Sequence, residues 1–286
     1  MKILVPLDGS PLAESALPVA LGLAQRWGGS LALVRVVDEK LERLWEALSP
    51  APLRESDQEA AALYVDHLRR KLQGVPCQAF SPLGRPAETV AQQAEELGCD
   101  LICMASHGRS GFERWLLGSV AEKLLHLARC PLLLVKPGEA SAADGFSNVL
   151  VAHDGERPAT RVVHRLAPFL NSGQGAARVH VLRASGTALA QDADEETVQF
   201  YLNSLERELH QHQVEGAQMS YQAVDDEPAP AILKVSRQRG CDLIAMATRA
   251  RSGLAGLMLG SVTAKVARHC HTALLAYPPE GDERDD

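Results

Sequence analysis

Aromatic side chains are scarce, 4% of the 286 residues, so the core has to come from Leu, Val, Ile and Ala, the residues that fill buried parallel strands and the helices covering them. That favours an α/β fold over an all-β sandwich. A positive balance is missing too: 29 Lys and Arg face 36 Asp and Glu, a net charge of −7, the wrong sign for a protein whose main partner is a polyphosphate backbone. Nucleic acid is not expected as a partner. The six cysteines (Cys77, Cys99, Cys103, Cys130, Cys241 and Cys270) form no CxxC pair and no repeated framework, which fits small core thiols in a reducing compartment better than a disulfide scaffold. No clean apolar run of about eighteen residues exists to span a membrane. The apolar amino-terminal stretch is interrupted by Pro6, Asp8 and Glu14 before a signal-peptide core could form. A cytoplasmic protein with no membrane partner is the expectation.

Familiar signatures are absent as well. There is no GxxxxGK[ST], no GxGxxG after the first strand, and no Ser-Gly-Gly-x-Asp-Ser loop, which sets aside the P-loop, the dinucleotide fingerprint and the ATP pyrophosphatases. Ser10 and Ser15 lack a GxSxG context. His269-Cys270-His271 would project apart on a helix, and no complementary pair lies at ligand spacing, so no zinc site is expected.

What the chain does contain is a copy of itself. Residues 99–119, CDLICMASHGRSGFERWLLGS, align without gaps on 241–261, CDLIAMATRARSGLAGLMLGS, with twelve of twenty-one positions identical at an offset of 142. Upstream, KILVPLDGS matches NVLVAHDGE, placing Asp8 on Asp154 at an offset of 146, and Gly29 falls on Gly175 at that same offset. Pro86 meets Pro228 at 142 again. Four extra residues therefore belong to the first copy, and the Pro-containing stretch 41–56 is where they are expected. The duplication divides the chain into domains 1–138 and 146–279, a small polar linker between them, and an acidic tail 280–286.

Within each copy, short apolar runs alternate with helical patterns. Strands are expected at 3–8, 30–36, 77–80, 100–105 and 132–135, and helices over Leu12–Trp27, Gln58–Leu72, Ala87–Leu97 and Val120–Ala128. The second copy repeats them, with strands near 148–153, 177–183, 218–223, 242–247 and 273–277 and helices near 158–171, 194–213, 229–239 and 262–269. Such alternation implies two parallel sheets with right-handed crossovers and helices on both faces.

In an open α/β sheet ligands sit beyond the carboxyl ends of the strands, where strand order reverses. Two first-copy segments fall there: Pro6-Leu7-Asp8-Gly9-Ser10, and Ala105-Ser106-His107-Gly108-Arg109 followed after nine residues by Gly118-Ser119. Glycine lets backbone amides approach an anion, a helix start points free N–H groups at it, and the Ser119 hydroxyl adds a donor. Asp8 would repel phosphate and suits ribose hydroxyls or a divalent cation. Each residue also has a plainer role. Asp8 or Ser119 could cap a helix, Gly118 could serve packing, and His107 and Arg109 could be solvated loop residues.

These residues resemble those of the universal stress protein family, twice over nearly the whole chain. Nucleotide-binding members carry Gly-x2-Gly-x9-Gly-Ser/Thr after strand four and an Asp at the end of strand one; here only the first glycine is replaced, by Ala105. The resemblance implies two tandem Rossmann-like domains of the adenine nucleotide alpha hydrolase type, each a five-stranded parallel sheet of order 3-2-1-4-5, joined through their fifth strands as an intrachain pseudo-dimer. It implies that Pro6, Leu7 and Asp8 line the adenine and ribose side, Val36 the adenine pocket, and Met104, Ala105, His107, Gly108, Gly118, Ser119 and Val120 the ribose and phosphate path. Arg109, beside the turn, is added as a phosphate contact.

In the second copy Asp154, Gly260 and Ser261 remain and Leu182 stands at the position of Val36, but Ala247, Arg249 and Ala250 replace the first glycine, the His107 equivalent and the middle glycine. A methyl group at Ala250 costs about 1 kcal/mol if that turn needs positive φ, while Arg249 could offer phosphate a charged fork. A weaker second site is expected. The expected protein is a nucleotide sensor or regulator of the stress response that binds ATP or AMP mainly in its first domain, with Mg²⁺ held through Asp8 when the nucleotide brings it. An unidentified protein partner and a homodimer are left open. The rivals are a slow Mg²⁺-dependent ATPase and a nucleotide-free scaffold.

Overall fold

A computed structural model describes residues 1–39, 57–106, 117–136, 144–153, 160–170, 177–184, 195–212, 214, 216–248, 250–251, 258–259 and 261–278. The chain divides into two compact units, Met1–Ala143 and Asp144–Asp286. The stretch 41–56, expected to hold the insertion, and the tail 280–286 lie outside the described residues.

The first unit runs β1 (Lys2–Pro6), α1 (Pro11–Glu14), α2 (Leu17–Arg26), β2 (Ser30–Val34), β3 (Val37–Asp38), α3 (Asp57–Lys71), β4 (Cys77–Phe80), β5 (Leu83–Gly84), α4 (Pro86–Glu96), β6 (Leu101–Ala105), α5 (Ser119–Leu127) and β7 (Leu132–Val135). Its main sheet has the order β4-β2-β1-β6-β7, parallel throughout. Counting main strands in chain order, that is 3-2-1-4-5. β1, β2, β6 and β7 are almost wholly buried, which is why they read as unbroken apolar runs rather than as an alternation. The two-residue parallel pair β3–β5 is too short to leave such a signal.

The segment expected as one helix over Leu12–Trp27 is two, α1 and α2. In a continuous helix the Pro18 ring would collide with the Glu14 carbonyl. The chain instead turns at Ser15 and Ala16, the Ser15 hydroxyl donating to the Leu12 carbonyl at 2.6 Å. Pro18 then falls in the first turn of α2, where a missing N–H is harmless.

The second unit repeats the plan with β8 (Asn148–His153), α6 (Thr160–Leu166), β9 (Arg178–Ala184), α7 (Glu195–Gln211), β10 (Gln218–Val224), α8 (Pro228–Arg239), β11 (Leu243–Ala247), β12 (Ala250–Arg251), β13 (Met258–Leu259), α9 (Ser261–His269) and β14 (Ala273–Tyr277). The five main strands lie in the order β10-β9-β8-β11-β14, again parallel. Pro168 ends α6 early, and a 3-10 turn follows over Ala167–Phe169.

Strand register refines the internal alignment. Lys2 pairs with Ser30 in the first unit and Asn148 with Arg178 in the second, so β1 and β8 are offset by 146 residues but β2 and β9 by 148. The fourth strands return to 142, since Ile3 pairs with Leu101 and Val149 with Leu243. Gly29 therefore corresponds to Ala177, not to Gly175. The second copy holds two extra residues before β9, and the first copy holds six extra, not four, before its third main strand.

Candidate functional site

The carboxyl ends of β1, β2 and β6 surround a cavity of about 310 Å³ in the first unit. It lies at the reversal of strand order, where the chain leaves β1 and β6 in opposite directions and a crevice opens between their connections. Nine residues expected from the sequence line it: Pro6, Leu7 and Asp8 beyond β1, Val36 beyond β2, Met104 and Ala105 on β6, and Gly118, Ser119 and Val120 at α5. His107, Gly108 and Arg109 lie outside the described residues. Ala13, Val34, Pro86, Val90 and Ala121 also line the cavity and were not anticipated. Pro86, which opens α4, and Val90, four residues on, share one face of that helix.

The Asp8 corner is built by a short series of hydrogen bonds. The Leu7 N–H donates to the Val34 carbonyl at 2.8 Å, extending the ladder one residue past β1. Gly9 then adopts φ +83°, a conformation that costs a side-chain-bearing residue about 1 kcal/mol or more. The chain turns back so that the Asp8 carboxylate accepts the Ser10 N–H at 2.9 Å. Ser10, not Asp8, caps α1, its hydroxyl oxygen accepting the Ala13 N–H at 3.1 Å. The same Asp8 lines the cavity wall.

The opposite wall is a helix start with no side-chain cap. Gly118 is the N-cap of α5, and Ser119 is its first helical residue, so Ser119 does not cap. The Gly118 N–H is spent on the Ser106 carbonyl at 3.1 Å, and the first helical bond runs from the Glu122 N–H to the Gly118 carbonyl at 2.9 Å. The N–H groups of Ser119, Val120 and Ala121 come before that bond and have no partner within the helix. All three residues line the cavity. Partial positive charge at the end of the helix axis makes this wall favourable for an anion. Buried Ser106 sets the entry to the connection, its N–H donating to the Val135 carbonyl at 3.0 Å.

Behind Asp8, Tyr64 of α3 donates from its hydroxyl to the Glu14 carboxylate at 2.8 Å, and the Arg35 guanidinium lies 5.0 Å from the centre of the Tyr64 ring. Burial, then the bond to Glu14, pushes the Tyr64 phenol well above its ordinary range.

Among the described residues the second unit differs from the first at several of these positions. Leu182 pairs with Ala152 as Val34 pairs with Pro6, so Leu182 is the counterpart of Val34, and Ala184 is the counterpart of Val36. Ala247 ends β11 and Ser261 opens α9; Asp154, Arg249 and Gly260 lie outside the described residues. Ala250 begins the strand β12, paired antiparallel with β13 through Leu259, so the expected left-handed strain does not apply to it. His153 stands in the place of Leu7, its ring 6.4 Å from those of Tyr201 and Tyr221. Among the described residues no three His, Cys, Asp or Glu side chains group as a metal site, and no helix is long and apolar enough to cross a membrane.

The order of the strands, the crevice at β1 and β6 and the duplication define a tandem α/β protein with a ligand-sized cavity in its first half. The universal stress protein family model matches residues 1–136 and 145–278, and the chain belongs to that family. It is 34% identical over 143 residues to a universal stress protein of Methanocaldococcus jannaschii, covering 47% of this chain and 81% of that protein. A universal stress protein of Thermus aquaticus is 33% identical over 135 residues, covering 47% of this chain and 97% of its own length. Such relatives match about one domain each. A universal stress protein from Archaeoglobus fulgidus has the same fold over both domains: TM-score 0.70, 22% identity, 99% of this chain and 97% of that one covered.

Proposed function

We propose that the first domain binds an adenine nucleotide, ATP or AMP, and that the protein acts as a nucleotide-dependent regulator in the stress response. The observation that carries this reading is one cavity with three chemically distinct walls. Val34, Val36, Val90 and Met104 provide apolar surface suited to a flat base. Asp8 provides a carboxylate for ribose hydroxyls. The start of α5 provides amides for a phosphate. The volume of about 310 Å³ lies at the lower end of the range for small-molecule sites.

His107, Gly108 and Arg109 would complete the phosphate side from the connection between β6 and α5, and Mg²⁺ arriving with the phosphates would be held through Asp8. Asp8 orients the sugar, and the α5 amides neutralise charge without moving a proton. Binding rather than turnover is therefore the activity assigned. The second domain, with His153 for Leu7 and Ala184 for Val36, binds nucleotide more weakly or not at all.

Calorimetric titration with ATP, AMP and adenosine tests this reading. One site per chain is expected, its affinity for ATP and AMP lost in Gly118→Val and retained in Gly260→Val. No binding heat, together with no nucleotide released from gently purified protein, would leave the scaffold reading. Phosphate release that disappears in Asp8→Ala would make the protein an ATPase.

A further inference from the structure

The second unit carries a chain of side-chain hydrogen bonds at the amino ends of its strands, away from the carboxyl edge where a nucleotide would sit. His180 of β9 lies between two partners: its Nδ1 is 2.6 Å from the Ser220 hydroxyl of β10, and its Nε2 is 2.9 Å from Oδ1 of Asn148 on β8. The direction of each bond can be deduced. The Asn148 Nδ2 donates to two carbonyls at the end of α8, Arg239 at 2.7 Å and Gly240 at 3.0 Å. Carbonyls only accept, so the amide orientation is set and Oδ1 must accept from His180. Nε2 of the imidazole therefore carries the proton, Nδ1 of the neutral ring is an acceptor, and the Ser220 O–H donates to it.

Asn148 is itself anchored, its backbone N–H donating to the Asp242 carboxylate at 3.0 Å. Burial, then the nearby cations Arg239 and Arg178, holds the His180 pKa below its usual value, so the ring is neutral at pH 7. A hydroxyl hydrogen-bonded to a neutral imidazole whose other nitrogen is held by a buried side chain is the arrangement of nucleophile, base and orienting group. α8 packs on β8 and β9, and Ser220 lies beyond them on β10, half-exposed like His180. In the first unit the register places Lys2, Ala32 and Gln78 at these positions, so the relay belongs to the second copy alone.

We propose that Ser220 is an activated hydroxyl that accepts acyl groups from small activated donors such as acyl phosphates, thioesters and phenyl esters. His180 serves as its base, and Asn148 is the positioning residue. Ser220 Oγ forms a bond to the acyl carbon as the bond from that carbon to its leaving group breaks. The hydroxyl proton passes to Nδ1 of His180 and from there to the departing group, leaving an ester on Ser220.

The test is incubation of the full chain with p-nitrophenyl acetate, followed by intact mass and peptide mapping. One acetyl group on Ser220 is expected, absent in Ser220→Ala and formed about a hundredfold more slowly in His180→Gln. The wild-type rate is expected to be level above pH 7 and to fall on acidification below about 6.5 as His180 protonates. Asn148→Ala should displace that inflection as well as slow the reaction, which loss of a purely structural contact would not do. If His180→Gln does not fold by circular dichroism, the wild-type pH profile still decides. No acetyl on Ser220, a His180→Gln rate equal to wild type, or no inflection below pH 7 would each overturn the proposal.

Discussion

The Tyr64 hydroxyl donates to the Glu14 carboxylate at 2.8 Å, and this bond ties α3 to α1, the short helix that follows the Asp8 turn. The wall of the cavity is thus braced from behind. Tyr64→Phe removes a partly exposed hydrogen bond to a charged acceptor and is expected to cost about 1 kcal/mol, measurable by urea unfolding. Ultraviolet titration should show Tyr64 and Tyr277 still protonated where ordinary tyrosines ionise, because burial is the leading cause that raises both phenols. A raised phenol pKa contributes stability that is present below about pH 10 and lost as pH rises beyond it.

Asp8→Ala and Asp8→Asn separate charge from shape in the cavity. Both are expected to weaken adenosine as well as ATP, by about tenfold to a hundredfold, the worth of hydrogen bonds to a charged group. Gly118→Val should weaken ATP far more than adenosine, because it obstructs only the phosphate wall. Equal losses for adenosine and ATP in Gly118→Val would show that the α5 start does not hold phosphate.

The protein should lose stability on mild acidification, through one histidine in each unit, His126 in the first and His180 in the second. Burial is the leading cause that lowers the His126 and His180 pKa values. Each depressed histidine is neutral in both states above about pH 6.5 and costs stability as pH falls below it, because the unfolded chain takes up the proton first. Asp242 opposes this trend at lower pH, since burial raises its pKa despite bonds from the Ser147 and Asn148 amides. Its protonation therefore relieves a cost. Unfolding free energies at pH 7.5, 6.5 and 5.5 should fall in that order, with a shallower slope in His180→Gln.

Gly29→Ala tests how closely the start of β2 packs on the amino-terminal residue. A Cβ at Gly29 would collide with the Met1 carbonyl, which accepts the Ser30 N–H at 3.0 Å. A loss of about 1–3 kcal/mol is expected. Ala177 already carries a Cβ at the corresponding place, so Ala177→Gly should give no compensating gain. A neutral Gly29→Ala would show that the amino terminus yields freely.

Much was legible in the sequence because its signals are local or repeated. Buried parallel strands need unbroken apolar runs, so β1, β2, β6 and β7 announced themselves. The identity between residues 99–119 and 241–261 exposed the duplication. Asp8 was legible because it lies just beyond the end of β1, and Gly118-Ser119 because the pair recurs as Gly260-Ser261 in the second copy. What failed were inferences that carried one offset through a loop, as when Leu182 was set against Val36, and those that overlooked a proline inside a helical pattern, as with Pro18.

Composition, periodicity and self-similarity by themselves determined the α/β class, the two copies and the segments that end their strands, because chain-local sterics and hydrophobic burial act on neighbours in sequence. Tertiary structure alone decided which residues meet. Pro86 and Val90 reach the cavity because α4 packs against α5, Tyr64 reaches Glu14 across fifty positions, and Asn148, His180 and Ser220 align only because three parallel strands stand in one register. Hydrogen bonds and cavities depend on distances of a few ångströms between segments far apart in the chain, and those distances are set by packing.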